Sequence, residues 1–211
     1  SMGNTTKFAA QETAVRNAVN KLSGNENVDA RFAIVSFDTL AGTNSTWTAS
    51  ASSLRYPSDV ANYSGKYQYW DRRWNDYREG TRSAGGTNYQ AGLTEASKLL
   101  SNARSDATKI VVFLSDGNPT FYTDDSGYVY GNGSTYDSTA LDEAKKFLGT
   151  MTNMQYFYTV GIGSKDNYEH LEELRNGVAQ GQNIQTGNFY GTNADNLKNA
   201  FDTIIRDTTS I

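Results

Sequence analysis

The stretch that most constrains this chain is KIVVFLSDGNPT, Lys109 to Thr120. Five apolar residues in succession, Ile110 to Leu114, leave no polar face, so a strand built from them must be covered on both sides. Such strands belong to parallel sheets sandwiched between helices. The run stops at Ser115, and Asp116, Gly117, Asn118 and Pro119 follow together. A carboxylate thus stands where a buried strand ends, the edge at which open parallel sheets bind ligands. Taken alone, Asp116 equally suits the turn that Gly117 and Pro119 complete, because aspartate is a favoured turn residue.

The rest of the chain alternates in the same sense. Val15, Ala18, Val19 and Leu22 fall at helical spacing within Lys7 to Leu22, and Ser23-Gly24 ends that helix. Phe32 to Val35 predicts a strand covered on both faces, and a weaker strand is expected around Asn44 to Ala49. Leu93, Ala96 and Leu100 mark a helix, as do Leu141, Ala144 and Leu148. Tyr156 to Ile162 reads as a strand, Tyr168 to Leu174 as a short helix, and Leu197, Ala200, Phe201, Ile204 and Ile205 as a strongly patterned last helix. Tyr56 to Gly80 has no clean period and is expected to be irregular with some helix. Phe121 to Ser138, rich in Tyr, Gly, Asp and Ser, reads as a long loop of the kind usually kept for function. The whole predicts one α/β domain over residues 1–211, a mostly parallel central sheet with helices on both faces and insertions at about 54–82 and 121–138.

Composition removes several functions. No apolar run approaches the roughly 20 residues of a membrane span, so no membrane insertion is expected. The net charge of −4, without a basic cluster, argues against nucleic acid. There is no cysteine, which excludes thiol chemistry, and the single histidine, His170, lies in the charged stretch YEHLEELR, where a solvated role is expected. With no P-loop, no Ser-His-Asp order and only GIGSKD as a glycine-containing candidate, an enzyme is not expected. The 14 tyrosines among many Ser, Thr, Asn and Gly suit an extracellular recognition surface. The sequence carries neither a basic-then-apolar leader nor an anchor pattern, so secretion or attachment signals are expected outside it.

A second feature is SAGGTNYQAGL, in which two glycines precede Thr87 at a helix start. Thr87 reads as an N-cap, or as a hydroxyl held at the upper edge of the sheet. Together, strand-SDG and GGTN-helix resemble the von Willebrand factor A domain, and the succession of helices and strands agrees from Lys7 to the end. The resemblance implies a Rossmann-like fold and a metal-ion-dependent adhesion site. Asp116 matches the aspartate of that family's third loop, and Thr87 the threonine of its second. The implied cofactor is a hard divalent cation, magnesium with calcium or manganese as alternatives, held by few charges and left able to accept a partner's carboxylate. Tyr89, Asn118 and Thr120, adjacent to those loops, are candidate rim contacts.

The family's first motif is Asp-x-Ser-x-Ser after a central first strand, whereas this chain begins SMGNTTKF. Ser1-Met2 reads either as the tail of that motif, with Ser1 its last serine and a third metal ligand, or as a pair left by cloning. The first strand is expected to be missing from this chain, with a strand from another chain or an upstream segment filling its position. Weak or no magnesium binding is expected without it. The resemblance also implies an adhesion or protein-ligand-binding module of a secreted or cell-surface bacterial protein, similar to the tip domains of Gram-positive pili. Its partner would be a protein, with host extracellular matrix one candidate. The alternative is an intracellular subunit that organises a multiprotein complex.

Overall fold

The computed structural model describes residues 5–57, 64–71, 73–82, 85–163 and 169–209. In chain order it runs α1 (Thr5–Ser23), β1 (Phe32–Phe37), β2 (Ala41–Thr48), β3 (Ser64–Asp71), β4 (Asp76–Arg82), α2 (Tyr89–Ser101), β5 (Ile110–Ser115), β6 (Phe121–Thr123), β7 (Val129–Gly131), α3 (Ser138–Leu148), β8 (Tyr156–Ile162), α4 (Glu169–Leu174), β9 (Gln185–Gly191) and α5 (Ala194–Thr209).

The apolar run becomes β5, which pairs in parallel with β8, and β8 pairs in parallel with β9. Successive side chains of a strand point to opposite faces, so this sheet feeds two cores. Phe113 and Phe157 enter one, against Tyr89 and Leu93 of α2 and Leu141 and Leu148 of α3. Tyr158, Val160 and Ile162 enter the other, against Ala14 and Ala18 of α1 and Leu197, Phe201 and Ile204 of α5. Each large apolar side chain so buried contributes about 1.5–3 kcal/mol, which makes these two layers the main source of stability. This is the expected α/β architecture with helices on both faces.

Three stretches differ from expectation. Within Tyr56 to Gly80, the described residues include an antiparallel hairpin, with β3 paired to β4 from Tyr67 opposite Gly80 to Asp71 opposite Asp76. Its aromatic residues satisfy strand preference without an apolar face, and Asn75, at φ 49°, turns the chain. The loop from Phe121 to Ser138 contains a second small hairpin, β6 with β7. The polar stretch QTGNFYG forms β9, where no strand was expected.

β1 and β2 form an antiparallel hairpin of their own. Among the described residues β1 pairs only with β2, and β5 pairs only with β8. A cavity of about 710 Å³ lies between them, lined by β1, β5, α1 and α5.

Candidate functional site

Two loops meet at the carboxyl edge of β5. The first precedes α2. Gly85 takes φ +82°, a conformation that favours glycine. Gly86 lies directly against the Phe121 ring, leaving no room for a Cβ. The Asn88 side chain accepts from the Ala91 N–H at 3.0 Å and caps α2. The cap is therefore Asn88 and not Thr87, and Thr87 stands one residue outside the helix.

The second loop follows β5. Ser115 Oγ donates to the Gly117 carbonyl at 2.9 Å and turns the chain back. Tyr89 Oη donates to that same carbonyl at 2.6 Å, tying α2 to the turn. The Thr87 N–H donates to Thr120 Oγ1 at 2.9 Å, and the Thr87 carbonyl accepts from the N–H groups of Thr120 and Phe121 at 2.8 and 3.1 Å. The end of β1 joins the same cluster, because the Asn88 N–H donates to the Asp38 carbonyl at 2.7 Å and Asn88 Nδ2 to the Thr39 carbonyl at 3.2 Å.

Asp116 and Thr87 are both buried in this cluster, at 8% and 7% exposure. Asn118 Oδ1 is buried with no hydrogen-bond partner among the described residues. A hard divalent cation takes about six or more oxygen ligands. A carboxylate, a hydroxyl and an amide oxygen are donors of that kind, and they fit part of such a shell. Among the described residues no group of three or more His, Cys, Asp or Glu gathers at one point. Ser1 lies outside the described residues.

Two of the three expected rim residues do other work. Tyr89 is wholly buried in the core between Phe37 and Phe113, whose rings meet it edge to face. Burial pushes its hydroxyl above the usual tyrosine range, and the nearby Asp116 carboxylate adds to the rise. It is an anchor for the loop, not a rim contact. Thr120 is buried with its hydroxyl on the Thr87 N–H, so it clamps one loop to the other. Asn118 is half-buried beside Asp116. Sequence reading missed Asn88 and Ser115, the residues that shape the two loops. Asparagine's strong preference for the N-cap was the available signal for the first.

The surroundings are aromatic. Tyr77 of β4 meets Tyr130 of β7 edge to face at 5.6 Å, and Tyr130 lies 6.0 Å from Tyr122 of β6, so the two hairpins stack together beyond the site. Trp74, Tyr77 and Tyr128 are exposed on them. His170, expected to be solvated, is instead stacked on the Tyr136 ring at 3.6 Å, with Nδ1 3.7 Å from the Glu173 carboxylate.

A parallel sheet between two helical layers, with oxygen donors on loops at its carboxyl edge, defines a Rossmann-like α/β domain. The chain belongs to the von Willebrand factor type A domain family, whose model matches residues 1–118. Among solved structures it is similar to the PilB minor pilin from Streptococcus sanguinis, at 15% identity and TM-score 0.68 over 98% of this chain and 55% of that one. The pilus adhesin SpaC from Lactobacillus rhamnosus GG follows at 16% identity and TM-score 0.56, covering 98% of this chain and 28% of that one. The vWF domain of the type V pili tip protein Mfa5 from Porphyromonas gingivalis shares 14% identity at TM-score 0.54, over 97% of this chain and 88% of that one. The chain thus spans about half the length of the pilin. No curated protein matches it.

Proposed function

We propose that this chain is a protein-binding adhesion module of a bacterial surface protein, and that it engages its partner through a divalent cation at the loop cluster around Asp116. Asp116 and Thr87, with Ser1 where it is native, would hold magnesium, or calcium or manganese in its place. When bound, the cation supplies a Lewis-acidic point that accepts a carboxylate from the partner. The observation that carries this reading is the joining of the loop before α2 to the loop after β5, which buries Asp116 and Thr87 together beside the unpartnered Asn118 Oδ1.

Two further features support it. The exposed aromatic residues of the stacked hairpins provide rim surface of the kind that protein interfaces use. Similar folds occur in pilus proteins, including an adhesin and a tip protein, which favours a cell-surface location and a protein partner, with extracellular matrix a suitable class. No described helix is long and apolar enough to cross a membrane.

The test is calorimetric titration of magnesium chloride into the complete polypeptide that carries this domain, paired with binding to immobilised matrix proteins. Asp116→Ala and Thr87→Ala are expected to remove the magnesium heat and the matrix binding while the far-ultraviolet dichroism stays native. Matrix binding unchanged in chelator would overturn the proposal.

A further inference from the structure

The tip of the β3–β4 hairpin carries charge that the fold does not neutralise. From Ser64 to Arg82 the sequence holds five basic and three acidic residues, a net +2 in a chain whose total is −4. At the turn the acidic side chains are taken up by backbone. Asp71 Oδ1 accepts from the Arg73 N–H at 2.9 Å, and Asp76 Oδ1 from the Tyr77 N–H at 2.8 Å. Among the described residues no carboxylate pairs with Arg73 or Arg78. Both guanidinium groups lie instead over the Trp74 ring, 5.5 and 5.1 Å from its centroid, which is cation–π range. Trp74 is 59% exposed, the most open large apolar side chain among the described residues, and Tyr77 is 49% exposed.

The tip is also held in place. The Trp74 N–H donates to the Asp71 carbonyl at 3.2 Å, and Asn75 takes φ 49°, a left-handed value that asparagine tolerates. Behind the turn, Tyr69 packs on Phe121 and Val129 of the second hairpin, and Tyr77 meets Tyr130 edge to face. Phe121 is the same ring against which Gly86 of the Thr87 loop is seated. The tip is thereby linked through packed side chains to the loop cluster, and a surface fixed in this way loses little entropy on binding.

We infer that Arg73, Trp74, Tyr77 and Arg78 form a second docking surface, which binds an Asp- or Glu-bearing segment of the partner protein without the cation. This rests on the protein-binding reading above and not on its metal. The chemistry selects the occupant. A guanidinium over a ring face keeps its N–H edge free, and that planar fork matches a carboxylate with two parallel hydrogen bonds. The open indole takes the apolar part of the segment. Trp, Tyr and Arg are the residue types in which the binding energy of protein interfaces concentrates. A neutral saccharide would cover the rings and leave both guanidinium groups without a counter-charge.

Fluorescence anisotropy tests the inference. The probe is a labelled peptide of alternating Glu and Leu, titrated with the complete polypeptide that carries this domain, once in magnesium and once in EDTA. The same affinity is expected in both. A peptide with Gln in place of Glu is expected to bind at least about tenfold more weakly. So is the Glu peptide to Trp74→Ala and to the double variant Arg73→Gln, Arg78→Gln, whose positions are exposed and whose far-ultraviolet dichroism is expected to stay native. Equal affinity for the two peptides, unchanged binding by either variant, or no binding by the parent at millimolar concentration overturns the inference. So does displacement of the probe by a heparin oligosaccharide at lower concentration than by unlabelled peptide, which assigns the tip to an acidic saccharide. A dimer in sedimentation that Trp74→Ala abolishes assigns it to a second copy and overturns it as well. A missing magnesium heat would sink the metal proposal and leave the anisotropy in EDTA untouched.

Discussion

Thr87 and Thr120 bind each other twice, the Thr87 N–H donating to Thr120 Oγ1 at 2.9 Å and the Thr120 N–H to the Thr87 carbonyl at 2.8 Å. Only the first bond needs a side chain. Thr120→Val keeps the shape and leaves a buried N–H unpaired, which costs about 1–3 kcal/mol. Urea denaturation is expected to show that loss, with Thr120→Ser close to the parent. A Thr120→Val protein as stable as the parent would show that the two loops are held by other means.

Tyr89→Phe removes the Oη bond to the Gly117 carbonyl, which still accepts from Ser115 Oγ. The expected cost is about 1 kcal/mol at neutral pH. An alkaline effect accompanies it. The folded state holds the Tyr89 proton more tightly than the unfolded chain does, so its contribution is complete below the ordinary tyrosine range and is lost as pH rises through that range toward the folded value. Thermal melts from pH 8 to 11 are expected to fall less steeply for Tyr89→Phe than for the parent.

Gly86→Ala places a methyl group where the Phe121 ring lies. Either the ring or the loop must shift, and overpacking of this kind costs about 1–3 kcal/mol. The double variant Gly86→Ala, Phe121→Leu is expected to recover part of the lost melting temperature. No recovery would mean that the backbone, not the ring, resists the substitution.

Asp202 joins two helices, accepting from Lys198 of its own α5 at 2.9 Å and from Lys21 of α1 at 2.9 Å. Those bonds hold its carboxyl below the usual aspartate value. A depressed carboxylate stabilises the fold above the unfolded value near pH 4, and this contribution is lost as pH falls through the folded value. Asp202→Asn is expected to flatten the acid limb of the stability curve between about pH 4 and pH 2. Coincident acid limbs would show that solvent already screens the pair.

Legibility in the sequence followed burial. The apolar runs of β5 and β8 could be read because both faces are covered, and α5 because five buried residues share one side. β9 could not, since it lies at the edge of the parallel sheet with Gln185, Thr186 and Tyr190 exposed and Gly191 its one buried residue, and so carries no apolar signature. The hairpin of β3 and β4 was hidden because its neighbours are other aromatic loops. At the site, Asp116 and Thr87 stood out by type and position. The roles of Tyr89 and Thr120 depend on contacts between residues 28 and 33 positions apart, which no local pattern encodes.

The Lys21 to Asp202 pair spans 181 positions of the sequence. Closing so long a chain costs on the order of 5 kcal/mol of entropy before any contact repays it. The sheet of β5, β8 and β9 with the intervening helices needs no such closure. The packing of α1 onto α5 is therefore expected to form after the segment from β5 to β9 and to open before it, an order that native-state hydrogen exchange of α1 against β8 would read.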